Sequence, residues 1–423
     1  MSTENSVEPD IDLAVTFFDE LRQRTADGPG VTRDSYGPGE QAAHDLFAET
    51  GAALGLEVET DFIGNTYVTL PGRRRSAPKI LIGSHLDSVR QGGNFDGAAG
   101  VVAGLSVLSG LSQGGVSPSR DISVMAVRAE EGCWFPETWL GSRMALGTLP
   151  PAKLEQLTRS ESGRTLAQHM ADGGFDPDAV RAGTRSLHPP MVACFLEVHI
   201  EQGPVLVAED SPIGVVEAIM GGPRYREARI FGSYAHAGGA PRRYRHDAVA
   251  ALGEFISEIN ALWRRLEADG HDTVFTFGIV TTDPVLHSFS RVAGEVRFCL
   301  DVRGCSEDVI RSVRNSVTSY AAALEWEHGV RFDFGPDSGP AILPMDAGIR
   351  KRFAALADRR GIAAKSMPSG AGHDAGAFIE AGVPTAMLFI RNDNGSHNPD
   401  EAMDLDDFEK SCQVLSDFVV EYP

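Results

Sequence analysis

The chain has 423 residues, with 38 Lys+Arg against 59 Asp+Glu for a formal charge of −21, and 42% of its residues are hydrophobic. This length exceeds one ordinary core and makes two or three domains the expectation. An acidic excess of this size repels phosphate backbones and anionic leaflets, so no nucleic acid and no membrane surface is expected as a partner. Met1 to Asp12 lacks the basic start and apolar run of a signal peptide, and no stretch approaches the ~20 apolar residues of a spanning helix. Five scattered cysteines without a CxxC pair suit reduced thiols, which together with the missing leader predicts a cytoplasmic protein.

In chain order, the apolar run Lys79 to Gly83 predicts a buried strand and leads straight into Ser84-His85-Leu86-Asp87. The glycine-rich Gly92-Gly93-Asn94-Phe95-Asp96-Gly97 then opens a helix through Val101, Leu105 and Leu108. Alone, Asp96 reads equally well as a helix N-cap, and His85 reads more readily as a satisfied core histidine. Together, a strand-end His and a helix-start Asp can converge on one metal ion. A second strand at Ile122 to Val127 runs into Glu130-Glu131. Adjacent carboxylates raise each other's pKa unless a positive charge faces them. A divalent cation supplies that charge, with one carboxylate as ligand and the other free as a base; the plainer alternative is a solvated acidic turn.

A third strand at Val192 to Val198 is followed by His199-Ile200-Glu201-Gln202, and a fourth at Pro384 to Ile390 by a segment holding His397. Between them, residues 214–332 change texture. A strand at Arg226 to Phe231, a Gly/Ala/Pro loop, a helix from Asp247 to Leu266, strands near Thr273 to Val280 and Gly294 to Val302, and a helix from Glu307 to Trp326 predict an inserted α+β domain. This insert carries 14 arginines against 15 acids, so nearly all the negative charge lies outside it. The expectation is an α/β protein with a mixed, largely parallel sheet flanked by helices, whose catalytic domain is split between 1–213 and 333–423. Ligands of such sheets bind beyond the carboxyl ends of the strands, so four reactive strand ends predict one site. Imidazole and carboxylate ligands without thiolate suit Zn, Mn, Co or Ni, and Asp96 as a bridge would place two cations about 3.5–4 Å apart. No Gly-x-Ser-x-Gly elbow is present, and Gly370 to Asp374 is no phosphate loop.

Eight motifs occur in an order that resembles the hydantoinase/carbamoylase branch of the M20 metallopeptidase-like amidohydrolases. They are Gly-Ser-His-Leu-Asp-Ser at 83–88, Gly-Gly-Asn-Phe-Asp-Gly at 92–97, Glu-Glu-Gly at 130–132 and His-Ile-Glu-Gln-Gly-Pro at 199–204. His-Ala-Gly at 236–238, Gly-Glu-Val-Arg at 294–297 running to Arg303, Ser-Gly-Ala-Gly-His-Asp-Ala at 369–375 and Ser-His-Asn-Pro-Asp-Glu at 396–401 complete the set. The resemblance implies a zinc-peptidase-like core with a lid and dimerisation domain at 214–332, and a homodimer formed through that lid. It implies two divalent cations per subunit, one held by His85, Asp96 and His199, the other by Asp96, Glu131 and His397. Asp87 would orient His85, Glu130 would be the general base, and His236 would reach the partner subunit's active site to stabilise an oxyanion. Arg303 would grip a substrate carboxylate, with Gln202, Ser290, Gly370, Ala371, Gly372 and His373 lining the pocket.

The expected reaction is removal of the carbamoyl group of an N-carbamoyl amino acid, a small carboxylate substrate. The alternatives are hydrolysis of an N-acyl amino acid or dipeptide, allantoate hydrolysis, and an inactive metal-binding scaffold. The pocket rim departs from the family at Gly239, Ala240, Ser290, Arg391 and Asn392, which leaves the particular substrate open.

Overall fold

A computed structural model describes residues 7–423. The chain divides into two compact units, one of residues 7–217, 345–367 and 371–423, the other of 218–344 and 368–370.

In the first unit the four apolar runs become the centre of the sheet, in the order Thr385–Ile390, Val192–Ile200, Lys79–His85, Ile122–Val127, all parallel. Each is buried throughout or nearly so, which is why its sequence is a continuous apolar run and not an alternation. Antiparallel strands flank them: Thr66–Leu70 and Glu57–Thr60 beside Ile122–Val127, and Ile213–Ile219 beside Thr385–Ile390. The fold is therefore a mixed sheet, largely parallel at its centre. Pairing of Phe389 with His199 and of His85 with Val127 brings the carboxyl ends of all four parallel strands to one edge.

Along Val192–Ile200, Cys194, Leu196, Val198 and Ile200 join the main core with helices Ile11–Thr25, Ala98–Gln113, Ala347–Arg360 and Leu405–Glu421. Phe195 faces the other way and stacks on Phe378 of helix Ala375–Glu380, with ring centroids 3.7 Å apart. Helix Ala98–Gln113 is buried from Ala98 to Leu111 because its Gly, Ala and Ser residues let it lie against the sheet. A Cβ at Gly100 would stand 2.0 Å from the Val198 carbonyl oxygen, so only glycine permits that approach. Gly97, not Asp96, occupies the N-cap, with φ 67°, and a Cβ there would meet the His85 ring at 2.5 Å. The capping reading of Asp96 is thereby displaced, and its side chain is available for other work.

The second unit is antiparallel throughout, with strand order Thr273–Thr276, Glu295–Gly304, Arg224–Phe231, Arg331–Asp333, and Val280–Thr282 also paired to Glu295–Gly304. Val296, Phe298, Leu300 and Val302 alternate inward onto helices Ala248–Ala268 and Glu307–His328, whereas Arg297 and Arg303 alternate outward. Asp247 and Ser306 cap the two helices through their side chains.

Candidate metal centre

His85 and His199 end adjacent parallel strands and are 2% and 1% exposed. Each ring is held by its Nδ1, which lies 3.0 Å from the Asp87 carbonyl oxygen in His85 and 2.9 Å from that of Ile200 in His199. A carbonyl accepts only from a protonated Nδ1, so each ring in its neutral form keeps the Nε2 lone pair for a cation. Those Nε2 atoms are 3.5 Å apart and lie 3.5 and 3.2 Å from the same atom, Asp96 Oδ1. The other oxygen, Asp96 Oδ2, faces His397 Nε2 at 3.3 Å, and His397 Nε2 lies 3.6 Å from Glu131 Oε1. One carboxylate thus presents its two oxygens to two sets of ligand atoms: His85, Asp96, His199 and Asp96, Glu131, His397.

The loop bearing Glu130 and Glu131 is fixed from below. Asp87, fully buried, accepts from the Glu130 N–H at 3.0 Å through Oδ1, and from the Glu131 N–H at 3.1 Å and Ser35 Oγ at 2.6 Å through Oδ2. Its carboxylate is 3.4 Å from His85 Nδ1, so the ring takes the Asp87 carbonyl and the carboxylate serves mainly the two glutamates. One step earlier Glu40 accepts from the Ala129 and Tyr36 N–H groups and pairs with buried Arg128 at 2.9 Å. Ala129 is held at φ 53°, a conformation that such over-determined packing can sustain.

Burial, and then the neighbouring Asp96, push the Glu131 carboxyl up to about 7; burial, partly offset by His85 and reinforced by Glu131, pushes Glu130 well above the carboxylate range. Glu131 Oε1 is buried and has no hydrogen-bond donor. Acids crowded this way, with an orphaned oxygen 3.6 Å from His397 Nε2, suit a cation between them, and the all-N/O donor set fits a divalent ion of the Zn, Mn, Co or Ni type. Glu130 lies 4.0 Å from His85 Nε2; it groups with His85 and Glu131 but takes no part in the two sets that share Asp96.

Other residues singled out from the sequence fall in different places. The Gln202 amide nitrogen is 3.0 Å from Asp96 Oδ2 and 3.3 Å from His397 Nε2, directed at the ligands. The buried His373 ring is 4.5 Å from that of His199, edge to face, and burial holds its pKa well below the usual value. Ala371 and Gly372 precede it in the same unit; a Cβ on Gly372 would strike the Trp139 indole at 2.8 Å. Arg391, at the altered rim, pairs with Asp407 at 2.7 Å and Asp210 at 2.6 Å, and Asn392 donates to the Gly395 carbonyl.

His236, Ser290, Arg303 and Gly370 belong to the second unit. The exposed His236 accepts at Nδ1 from the Gly239 N–H at 3.0 Å, so the neutral ring carries its proton on Nε2 as a donor. The Ser290 carbonyl accepts from the Ala237 N–H, and His236 and Ser290 share the lining of a cavity of about 470 Å³. Gly239 and Ala240 follow His236 in a turn closed by N–H bonds to its carbonyl. Arg303 donates twice to Asp301 Oδ2 and once to the Gly370 carbonyl, which leaves part of its donor fork uncommitted.

An α/β sheet with paired histidine and carboxylate ligands at its carboxyl edge defines a metallohydrolase of the zinc-peptidase kind. Residues 81–421 match the model of peptidase family M20/M25/M40, and the chain belongs to that family. It is 34% identical over 401 residues to an N-carbamoyl-L-amino-acid amidohydrolase of Paenarthrobacter aurescens, covering 94% of each chain. It is 32% identical to an allantoate amidohydrolase of Escherichia coli (strain K12), covering 92% of each. A solved hydantoinase/carbamoylase family amidase from Burkholderia ambifaria superposes with a TM-score of 0.85 at 30% identity over 98% of both chains.

Sequence reasoning missed Glu401, Ser396 and the Glu40–Arg128 pair. Glu401 and Ser396 stand in the same motif as His397, which could have drawn attention to them; Glu40 carries no local signal, because its partner is 88 residues away.

Proposed function

We propose that this protein is a homodimeric, two-cation amidohydrolase that removes the carbamoyl group of an N-carbamoyl amino acid. The observation carrying this reading is the division of Asp96 between two ligand sets, with Glu130 beside them and in neither of the two sets that share Asp96. When bound, the cations acidify water and polarise the scissile carbonyl. Glu130 accepts the proton that water gives up as it adds to the ureido carbonyl, and returns it to the nitrogen that departs when the C–N bond breaks. The carbamic acid released falls apart to ammonia and carbon dioxide, leaving the free amino acid. Asp87 keeps Glu130 and Glu131 aimed through their backbone, and His236 supplies its Nε2–H to the oxyanion from the partner subunit. The uncommitted part of the Arg303 fork takes the substrate carboxylate. Gln202, His373, Ala371 and Gly372 are the substrate contacts this reading draws from the first unit, and Ser290 and Gly370 those it draws from the second.

Two features support self-association through the second unit and a reducing compartment. Val285, Phe289 and Trp326 of that unit are 87%, 106% and 92% exposed, apolar side chains that a second copy would cover. All five cysteines are free, as they would be in the cytoplasm, and among the described residues no helix is long and apolar enough to cross a membrane.

The test is a panel of N-carbamoyl amino acids, allantoate, N-acyl amino acids and dipeptides, run with Mn, Co, Ni and Zn and with ammonia and amino acid both measured. Equimolar ammonia and amino acid from N-carbamoyl substrates is the expected result. Turnover confined to N-acyl amino acids or dipeptides would transfer the enzyme to the acylase reading, and ammonia from allantoate alone would transfer it to that substrate.

A further inference from the structure

Glu401 is 5% exposed and none of the chemistry above uses it. Its carboxylate is nevertheless fully spent at the metal centre. Oε1 accepts from the Phe95 N–H at 2.8 Å and the Asp96 N–H at 3.1 Å, and Oε2 accepts from Ser396 Oγ at 2.8 Å. The same Ser396 hydroxyl reaches Asp96 Oδ2. Space for this is built in, because a Cβ at Gly93 would fall 2.2 Å from the Glu401 carboxyl. Glu401 therefore grips Asp96 at both ends, its backbone directly and its side chain through Ser396.

A hydroxyl has one proton and two carboxylates compete for it. Ser396 Oγ stands within reach of both Asp96 Oδ2 and Glu401 Oε2, so by sharing or alternating its proton it would tie the Asp96 carboxylate to the loop that carries His397. The two ligand sets depend on this pair unequally. His85 and His199 are buried at strand ends, with their rings fixed by backbone carbonyls. His397 is half exposed, has φ 63°, and sits one residue after Ser396 in a loop that returns to the centre through Ser396 and Glu401.

We propose that Glu401, acting through Ser396, is the positioning residue that makes Asp96 a bridge, and that it secures the cation held by Asp96, Glu131 and His397 more than the one held by His85, Asp96 and His199. This rests on the two-cation reading above.

The experiment is calorimetric titration of metal-free full-length protein with manganese(II) chloride, accompanied by the electron spin resonance signal of coupled manganese pairs and by the Tm of the metal-free protein. Wild type is expected to bind two equivalents. Ser396→Ala and Glu401→Ala are expected to weaken one equivalent by about 10- to 100-fold, the usual effect of losing an outer partner of a ligand, with the other equivalent unchanged and the pair signal lost. Glu401→Gln, which keeps an acceptor for both N–H groups, is expected to recover part of the loss. Two unaltered equivalents in Ser396→Ala and Glu401→Ala overturn the proposal. Parallel weakening of both equivalents with a fall in the metal-free Tm also overturns it, since it would mark a structural role. Fewer than two equivalents in wild type would instead refute the two-cation reading itself.

Discussion

At the residue scale the centre is a problem in placing negative charge. Asp87, Asp96, Glu130, Glu131 and Glu401 are all buried within one neighbourhood, and each has a different answer to the cost of burial. Asp87 and Glu401 are satisfied by backbone N–H groups and hydroxyls. Asp96 faces imidazoles on both sides, and Glu131 has an oxygen with no donor at all. Glu130 lies 4.0 Å from His85 Nε2 and outside the two sets that share Asp96, which suits a group that must gain and lose a proton in turnover. Glu130→Gln keeps the shape and removes the basicity. It is expected to lower kcat by about 10²- to 10⁴-fold, with the manganese stoichiometry of wild type retained. Single-turnover rates and metal analysis on the same sample check this, and a variant that has lost a cation would place Glu130 among the ligands.

At the scale of elements, the four parallel strands were legible because a strand buried on both faces leaves a continuous apolar run, and the chemistry was legible because each run stops at a polar residue. The start of helix Ala98–Gln113 was less legible: Asp is a good cap in general, but here the left-handed Gly97 takes that place and frees Asp96. Partners far apart in the chain were not legible, since nothing at Glu40 or Glu401 announces Arg128 or Asp96. The same holds for Arg360 and Asp417, which join helices Ala347–Arg360 and Leu405–Glu421 through two contacts of 2.8 and 2.9 Å. Burial alone would raise the Asp417 pKa; the Arg360 guanidinium, and Arg359 after it, outweigh burial and hold it below the usual value. A carboxyl depressed in the folded state contributes stability that is full above its unfolded pKa of about 4 and is lost as pH falls through the folded value. Asp417→Asn is accordingly expected to cost about 1–3 kcal/mol near neutrality, and to flatten the decline of Tm below about pH 4 that wild type shows. Thermal melts of both proteins from pH 7 down to pH 2 measure it, and parallel curves would mean that the pair contributes nothing through charge.

At the scale of the molecule, the charge that first served to exclude nucleic acid turns out to be divided. The second unit is nearly neutral and rich in arginine, and almost the whole excess of acid lies in the first unit, where the candidate metal ligands are. The second unit also carries the exposed Val285, Phe289 and Trp326, and it carries His236 with its proton fixed on Nε2. If dimerisation through this unit places His236 in the partner subunit's site, a complete active site needs Glu130 from one chain and His236 from the other. Homodimers of Glu130→Gln and of His236→Ala should then each be nearly inactive for complementary reasons. Unfolding and refolding them together in equal amounts yields mixed dimers for half of the population, and each mixed dimer holds one site with both groups intact. Recovery of about a quarter of the wild-type activity is therefore expected from the symmetry of a twofold dimer. A histidine acting within its own chain gives no recovery, because every chain in the mixture then lacks one of the two groups. Phe289→Asp, placed on the exposed apolar surface, is expected to abolish the recovery and halve the mass measured by light scattering, tying the shared site to the contact that creates it.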